Sequence, residues 1–439
     1  MLVALIATYV GLNRSENSVR LIKLKGAAIG NISKGNVSFT LGLNKDSISA
    51  VPASSQDLLF TSFTDRDPTF FFRPVKGDGD VLNFRVDKFG VFLGNTLISI
   101  TISNDNGSLE WMKNCSSEEL SHLRSVYLLD SLTENSISGI KRIAESASNL
   151  GLAFEKEQKI LPEIIELIKP VWMYAVSNTT DTNTMNAICA TKSLELLIME
   201  ADSIDLGRLS QLPKLKSLIL SGIDSVSALS LYRLPVTISS LEISDSKIKD
   251  LNFLKENSPV KELNIISSDL KDIHSLRNSN KLEVLSLIDC DSIPDLSPLF
   301  GLRNLKWFAP PWNINDRDLE TIAANSPGIE TLVLNDCKYL KSFSALRKLP
   351  RLSNLTLIKS SFNPDSLIQF QNLKYLAFNS SAKDDSLKIV QLQSKMPNTL
   401  VVPVEPFCMG SGWLVVFFLI LVAGSLGNFQ FRKMRKNRG

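Results

Sequence analysis

One short phrase, written nine times, constrains this chain more than any other feature. An apolar residue is followed by two variable residues, a Leu, one variable residue and another apolar residue. The phrase begins at Leu194, Leu215, Ile238, Val260, Leu282, Leu305, Ile329, Leu352 and Leu373, in steps of 21 to 24 residues. Its fourth position is Leu in every copy except one, where Phe308 stands. A fixed period of this size marks a solenoid, because one unit cannot bury its own apolar face and must stack on the next. Positions one, four and six face inward, and the residues between them project from a sheet. Strands stacked ~4.8 Å apart would make nine copies into a ribbon roughly 40 Å long.

The phrase resembles the leucine-rich repeat, in the class of about 22 residues found in internalin-like bacterial proteins. The likeness is best from Ile293 to Phe308 and from Leu340 to Leu355, and the repeats span about half the chain. The resemblance implies an α/β solenoid with a parallel sheet on its concave face. It also implies that a small polar residue at position nine satisfies the turn leaving each strand. That position holds Asp202, Ile223, Ser246, Ser268, Cys290, Asn313, Cys337, Ser360 and Ser381. All but Ile223 can hydrogen-bond, so the register of its turn is in question. Cys290 and Cys337 lie two repeats apart, roughly 10 Å, which is beyond disulfide reach. Buried single thiols are expected.

The solenoid has neighbours on both sides. Residues 13–115 lack the repeat but alternate apolar and polar residues at Arg20–Lys25, Asn36–Leu43, Val81–Val86 and Leu97–Ile102. Gly and Asn punctuate these runs, which suggests an antiparallel sandwich or barrel and a candidate cap for the solenoid. Residues 116–193 read as degenerate, helix-richer repeats, with phrases at Leu123–Leu128 and Val171–Val176. The repeats proper cover 194–400, followed by a linker over 401–412.

The C-terminal stretch is free of charge from Pro406 to Phe431 and strongly apolar from Trp413 to Leu426. About 20 such residues cross a bilayer core. A transmembrane helix over 413–431 is expected, with the basic tail 432–439 on the cytoplasmic side. Gly410 to Leu414, the apolar run and the Arg/Lys cluster also resemble bacterial C-terminal sorting tails of the Gly-rich type. Residues 1–12 have the length of a signal h-region but lack a basic n-region, and read as a signal or anchor remnant, or as a first strand.

The formal net charge is +3, with acidic and basic residues interspersed, so nothing points to nucleic acid. Two His and five Cys match no metal-site spacing, and no phosphate loop, nucleophile elbow or dinucleotide fingerprint is present. No enzyme activity and no cofactor are therefore expected. What remains is surface. The outward strand positions are mostly small, hydroxylic or apolar, which suits a protein or peptide partner. One copy breaks the pattern: Pro310 replaces the sixth apolar residue, Pro311 follows, and Trp307 and Trp312 flank them. These four residues, with Asn354 and Tyr375, are the candidate partner-binding set. Three functional readings stay open. The first is a membrane-anchored, extracytoplasmic binding protein of a bacterial envelope, the second an architectural spacer, and the third a tail-anchored cytosolic scaffold.

Overall fold

The computed structural model describes strands between Ile32 and Leu93 as backbone. From Thr96 to Pro403 it describes all but residues 104–106, 124, 130–131, 155–160, 176–181, 201–204, 256–257, 291, 360–363, 379–390, 393 and 398. The chain divides into a unit from Met1 to Val404 and a second, Glu405–Gly439. The second unit lies outside the described residues, and with it the expected 413–431 helix and the sorting-type tail.

One sheet of 19 strands runs through the first unit. Its opening strands are β1 (Ile32–Lys34), β2 (Val37–Leu41), β3 (Ser47–Val51), β4 (Leu82–Val86), β5 (Gly90–Leu93) and β6 (Thr96–Ile102), each antiparallel to the next. This corrects the expected sandwich or barrel. The antiparallel strands prolong the solenoid's own sheet, and β6 pairs on its other edge, in parallel, with β7 (Ser125–Leu128).

From there every strand is parallel to its successor. β8 (Gly151–Phe154) and β9 (Trp172–Ala175) lead into the regular repeats. These are β10 (Leu196–Glu200), β11 (Ser217–Ser221), β12 (Ser240–Ser244), β13 (Glu262–Ile266) and β14 (Val284–Ser286). They continue as β15 (Trp307–Ala309), β16 (Thr331–Asn335), β17 (Asn354–Ile358), β18 (Tyr375–Phe378) and β19 (Leu400–Pro403). The register matches phrase to phrase: Leu197 lies opposite Leu218, Leu218 opposite Leu241 and Leu241 opposite Leu263.

The core is the stack of inward positions. Leu194, Leu197 and Met199 are buried, as are their counterparts Leu282, Leu285 and Leu287. Each fully buried aliphatic side chain contributes about 1.5–3 kcal/mol, and stacking makes that contribution continuous from repeat to repeat. The return segments change along the chain. Helices α1 (Ser108–Asn114), α2 (Ser117–Ser121), α3 (Glu134–Ser146), α4 (Leu161–Ile168) and α5 (Thr182–Ala190) serve the early units. Later units mostly use 3-10 turns such as Leu206–Gln211, His274–Asn278 and Ser344–Lys348. After the short α6 (Ser225–Ala228), the exception is α7 (Asp316–Asn325), capped by Asn315 Oδ1 accepting from the Asp318 amide at 3.1 Å. It occupies the longest step between phrases, from Leu305 to Ile329, where a helix needs the extra residues.

Two ladders run along the ribbon. At position two, each backbone amide donates to the carbonyl one repeat earlier: Lys216 to Glu195, Ser239 to Lys216, Glu283 to Lys261 and Glu330 to Lys306, at 2.7–2.8 Å. The side chains there carry opposite charges on adjacent strands. Lys306 Nζ lies 2.6 Å from Glu283 and Lys216 Nζ 3.8 Å from Glu195. Just past six of the strands comes a left-handed residue: Gly222, Asp245, Ser267, Asp289, Asp336 and Lys359 have φ between 48° and 69°. Gly, Asp and Ser suit that position because they tolerate or compensate positive φ.

Position nine behaves as the resemblance implies at Ser246, Ser268, Cys290 and Cys337, while Asp202, Ser360 and Ser381 lie outside the described residues. Ser246 Oγ donates to the Ser244 carbonyl at 2.6 Å and accepts from the Ile223 amide at 3.1 Å. Ser268 Oγ, Cys290 Sγ and Cys337 Sγ each donate to a strand carbonyl. Ile223 does not disturb its turn. It is buried, Gly222 before it is left-handed, and the next repeat's Ser246 takes up its amide. Cys115, Cys189, Cys290 and Cys337 are buried thiols outside any disulfide.

One register needs correction. The phrase read at Val171 begins one residue earlier, at Pro170, because Trp172 pairs with Leu196 and Met173 with Leu197. A one-residue slip exchanges the two faces of a strand. Met173 and Ala175 are therefore the core residues, and Trp172 and Tyr174 belong to the other face.

Candidate functional site

The face opposite the helices and 3-10 turns is built from positions three, five and seven of the strands. Its C-terminal half holds a second apolar cluster, separate from the main core: Ile288, Trp307, Ala309, Val333 and Ile358, with Val284 packed against it. Trp307 is 3% exposed, so it forms the centre of this cluster and not one half of an exposed pair. Asn354 is also buried, and its Nδ2 donates to Thr331 Oγ1 at 3.0 Å. The amide is thus committed within the sheet face. The Tyr375 side chain lies outside the described residues.

Pro310 and Pro311 do what their chemistry requires. Neither can donate to a ladder, so β15 stops at Ala309 while β16 and β17 continue for two more residues. The interruption leaves position seven without a strand residue, and the flanking repeats bridge it. Asn335 Nδ2 donates to Asp289 Oδ1 at 3.1 Å, across 46 residues of sequence. Trp312 sits beyond the break and pairs with Tyr339, not with Trp307. Their ring centroids are 5.9 Å apart and tilted by 30°, and Lys338 Nζ lies 5.9 Å from the Trp312 ring. Lys338 is held in turn by Asp336 at 3.3 Å. The break therefore separates a buried aromatic on the sheet from a pair at its edge, a half-buried Trp312 and a Tyr339 that is 53% exposed.

The middle of the same face is polar. Glu242 lies opposite Asn264, and Asn264 opposite Ser286, on three successive strands. Asn264 Nδ2 approaches the Glu242 carboxylate at 3.5 Å. Burial pushes the Glu242 carboxyl up to about 7, with the Asn264 hydrogen bond opposing the shift. Asn264 Oδ1 and Ser286 Oγ are buried and make no hydrogen bond, and Thr356 Oγ1 further along the row is in the same state. Within strands β7 to β17 the charged residues at outward positions are Glu200, Glu242 and Glu262. Glu200 is also raised by burial.

Sequence reasoning missed the aromatic group at the N-terminal end of the face. Trp172 and Tyr127 are buried there, and Trp172 Nε1 has no hydrogen-bond partner. The Trp172 indole lies over Gly151 of the neighbouring strand, where an added Cβ would come within 1.7 Å of the ring. The signal was available: a Gly in a strand marks a close approach, and the correct register sets it beside Trp172.

Nothing in this arrangement converges on a reacting atom. Among the described residues no group of three or more His, Cys, Asp or Glu could hold a metal ion. The four described thiols are buried, and Cys337 is pushed up to about 12 by desolvation.

The strand register and the 21-to-24-residue step define a leucine-rich-repeat solenoid of the α/β class. No family model matches the chain, and no curated protein matches it. Solved structures of similar fold include that of a yeast Rad7–Elc1 complex, at 19% identity and a TM-score of 0.45, covering 69% of this chain and 88% of that one. Internalin C2 of Listeria monocytogenes is similar at 21% identity and 0.33, covering 50% and 92%. A leucine-rich-repeat protein of Leptospira interrogans is similar at 15% identity and 0.32, covering 69% and 99%. The fold assignment rests on the chain's own register and spacing, not on these distant likenesses.

Proposed function

We propose that this chain is a non-catalytic recognition protein that binds a protein or peptide across its outward sheet face. One observation carries the reading. The face sets an apolar cluster around Trp307 beside buried polar atoms, Asn264 Oδ1, Ser286 Oγ and Thr356 Oγ1, that have no hydrogen bond. Those atoms lie beneath the accessible surface, and what a partner meets is the rim, where Tyr339 is 53% exposed and packs against Trp312. An apolar centre beside specific polar groups is the usual anatomy of a binding surface. Half-buried Trp312 and exposed Tyr339 form an aromatic pair at that rim.

The same reading places the protein at a membrane, tethered through 413–431, with the repeats on the extracytoplasmic side and the basic tail in the cytoplasm. Its support is the charge-free, apolar sequence followed by five cations. No helix among the described residues is long and apolar enough to cross a membrane. Protease protection of the tail in sealed vesicles tests the topology. A tail cleaved from the same side as the repeats would overturn it and favour a cytosolic scaffold. Capture of partners by the full chain in detergent, compared with a Trp312→Ala, Thr356→Arg variant, tests the binding. Identical capture by both would leave the solenoid as a spacer.

A further inference from the structure

The turn side of the solenoid, away from the outward sheet face, carries a second surface. Leu229, Tyr232 and Val236 belong to one repeat and are 70%, 42% and 74% exposed. Besides Tyr339 they are the large exposed hydrophobics among the described residues. The same places in other repeats are mostly polar. Counted from the residue that ends each 3-10 turn, two positions on stand Lys214, Lys281, Asn304 and Arg351, but Val236 here. Five positions back stand Gly207, His274, Ser297 and Ser344, but Leu229 here. Tyr232, two positions back, stands where the others carry Ser210, Arg277, Phe300 and Arg347. The core of this unit does not call for these side chains, because Leu231, Ile238 and Leu241 already supply it. Leu229 and Tyr232 are three apart on the 3-10 turn Leu229–Arg233, where residues i and i+3 lie one above the other. Between them Ser230 and Leu231 are buried, and Ser230 Oγ accepts from the Leu206 amide at 3.0 Å, which anchors the turn. An apolar patch rimmed by polar residues marks an interaction site.

Area, backbone and charge together define the occupant. Three such side chains offer on the order of a few hundred Å² of apolar surface. A stable two-fold dimer needs roughly 800 Å² from each partner, so the patch is sized for a short segment and not for a second copy. A 3-10 turn presents no strand edge, so an extended peptide would bring backbone groups with nothing to pair, whereas a helix satisfies its own. The carboxylates beside the patch are already engaged. Asp205 pairs with Arg233 at 2.7 Å, and Asp250 Oδ1 accepts from the Asn252 amide at 2.9 Å and from the Tyr232 hydroxyl at 3.4 Å. Lys214 and Lys255 occupy the matching turn positions of the preceding and following repeats, are exposed, and make no ion pair among the described residues. The unbalanced charge at the rim is therefore positive.

We propose that this turn surface docks a short amphipathic helix of a partner protein. Its apolar residues, spaced i, i+4 and i+7, pack on Leu229, Tyr232 and Val236, and Glu or Asp beside that stripe meets Lys214 and Lys255. A bilayer fits less well, because insertion would carry the Asp205 and Asp250 carboxylates towards apolar chains. The inference is independent of the outward-face reading, since it uses the opposite side of the repeats.

The test uses the full chain and a fluorescein-labelled, alanine-based helical peptide of about 18 residues, long enough to hold a helix in water. It carries Leu at i, i+4 and i+7 with Glu on either side of the stripe. One control peptide scatters the Leu residues around the helix, and the other replaces Glu by Lys. Anisotropy titration should show saturable binding of the Glu peptide and about tenfold weaker binding of both controls. Leu229→Ser with Val236→Lys should weaken the Glu peptide about tenfold, and it installs residue types that other repeats carry at those places. Lys214→Glu with Lys255→Glu should reverse the preference towards the Lys peptide, a gain that a misfolded chain cannot show. Trp312→Ala should leave the binding unchanged, which separates this site from the outward-face reading. Equal binding of the scattered-Leu peptide, or binding insensitive to Leu229→Ser with Val236→Lys, would overturn the helix site. Binding of no peptide would overturn it as well. In that case, stronger partition of the wild type than of the double variant onto phosphatidylserine vesicles would assign the patch to lipid, and a dimer lost in that variant on sedimentation would assign it to a second copy.

Discussion

Replacing Glu242 by Gln should change how the stability of this protein depends on pH. In the folded chain the carboxyl titrates near 7, against an ordinary value of 4.5, because β12 holds it in a poorly solvated position on the sheet. The folded state thus holds a proton that the unfolded state has already released. Stability from this group is complete below about pH 4.5, falls as pH rises towards 7, and is constant above that. The gap corresponds to roughly 3 kcal/mol at ~1.4 kcal/mol per pH unit. Residual contact with solvent reduces this to about 1–2 kcal/mol. No cation faces Glu242 from β11 or β13: the neighbouring outward residues are Ser217, Ile219 and Ser221 on one side, and Glu262, Asn264 and Ile266 on the other. Glu200, on β10, is the remaining carboxylate of the face. Urea denaturation of the wild-type chain and of Glu242→Gln, at intervals from pH 4 to 8, gives the difference directly. Gln cannot ionise, so the wild type should lose about 1–2 kcal/mol relative to the variant between pH 4.5 and 7. A difference that stays constant across that window would refute the buried-carboxylate reasoning.

Four further outcomes follow from the same geometry. Gly151→Ala should cost about 1–3 kcal/mol and shift Trp fluorescence, since the new Cβ would lie 1.7 Å from the Trp172 ring. Gly222→Ala meets nothing within 4 Å and should cost only about 1–2 kcal/mol, from its φ of +69°. Ser246→Ala removes a carbonyl's donor and leaves the buried Ile223 amide without its acceptor, so chemical denaturation should show a loss of about 1–3 kcal/mol. The Cys337 thiol, pushed up to about 12 and buried, should resist alkylation at pH 8 in the folded protein and react once it is unfolded. Mass spectrometry of the labelled peptide reports this, and prompt labelling of the native chain would contradict it.

Much of the fold could be read from the chain's own text. The Leu step, the inward positions and the hydrogen-bonding role of position nine are local consequences of stacking identical units, and the strand pairings reproduce them. Regular repeats broadcast their register, because each copy corrects the reading of the next. Where the copies degenerate, that correction is lost. The slip between Pro170 and Val171 hid Trp172 and Tyr174 on the wrong face. The short strands β1 and β3 went unrecognised, and so did their continuity with the solenoid sheet, because antiparallel pairing depends on distant partners and leaves no period.

The site divides in the same way. Pro310 and Pro311 were visible as a break because proline lacks a backbone N–H wherever it stands. What the break does was not visible. Whether Trp307 or Trp312 stays exposed depends on which neighbours close over each ring. Trp307 is enclosed with Ile288, Val333 and Ile358, while Trp312 meets Tyr339 at the edge. The sequence by itself determined the solenoid, its outward face and the place where the pattern fails, because those follow from periodicity and from the covalent chemistry of single residues. Only the tertiary structure decided that Asn264 and Ser286 keep unused acceptors beside a Glu242 whose carboxyl burial pushes up to about 7. Hydrogen-bond satisfaction and desolvation are properties of what lies across the next strand, and no residue carries that information alone.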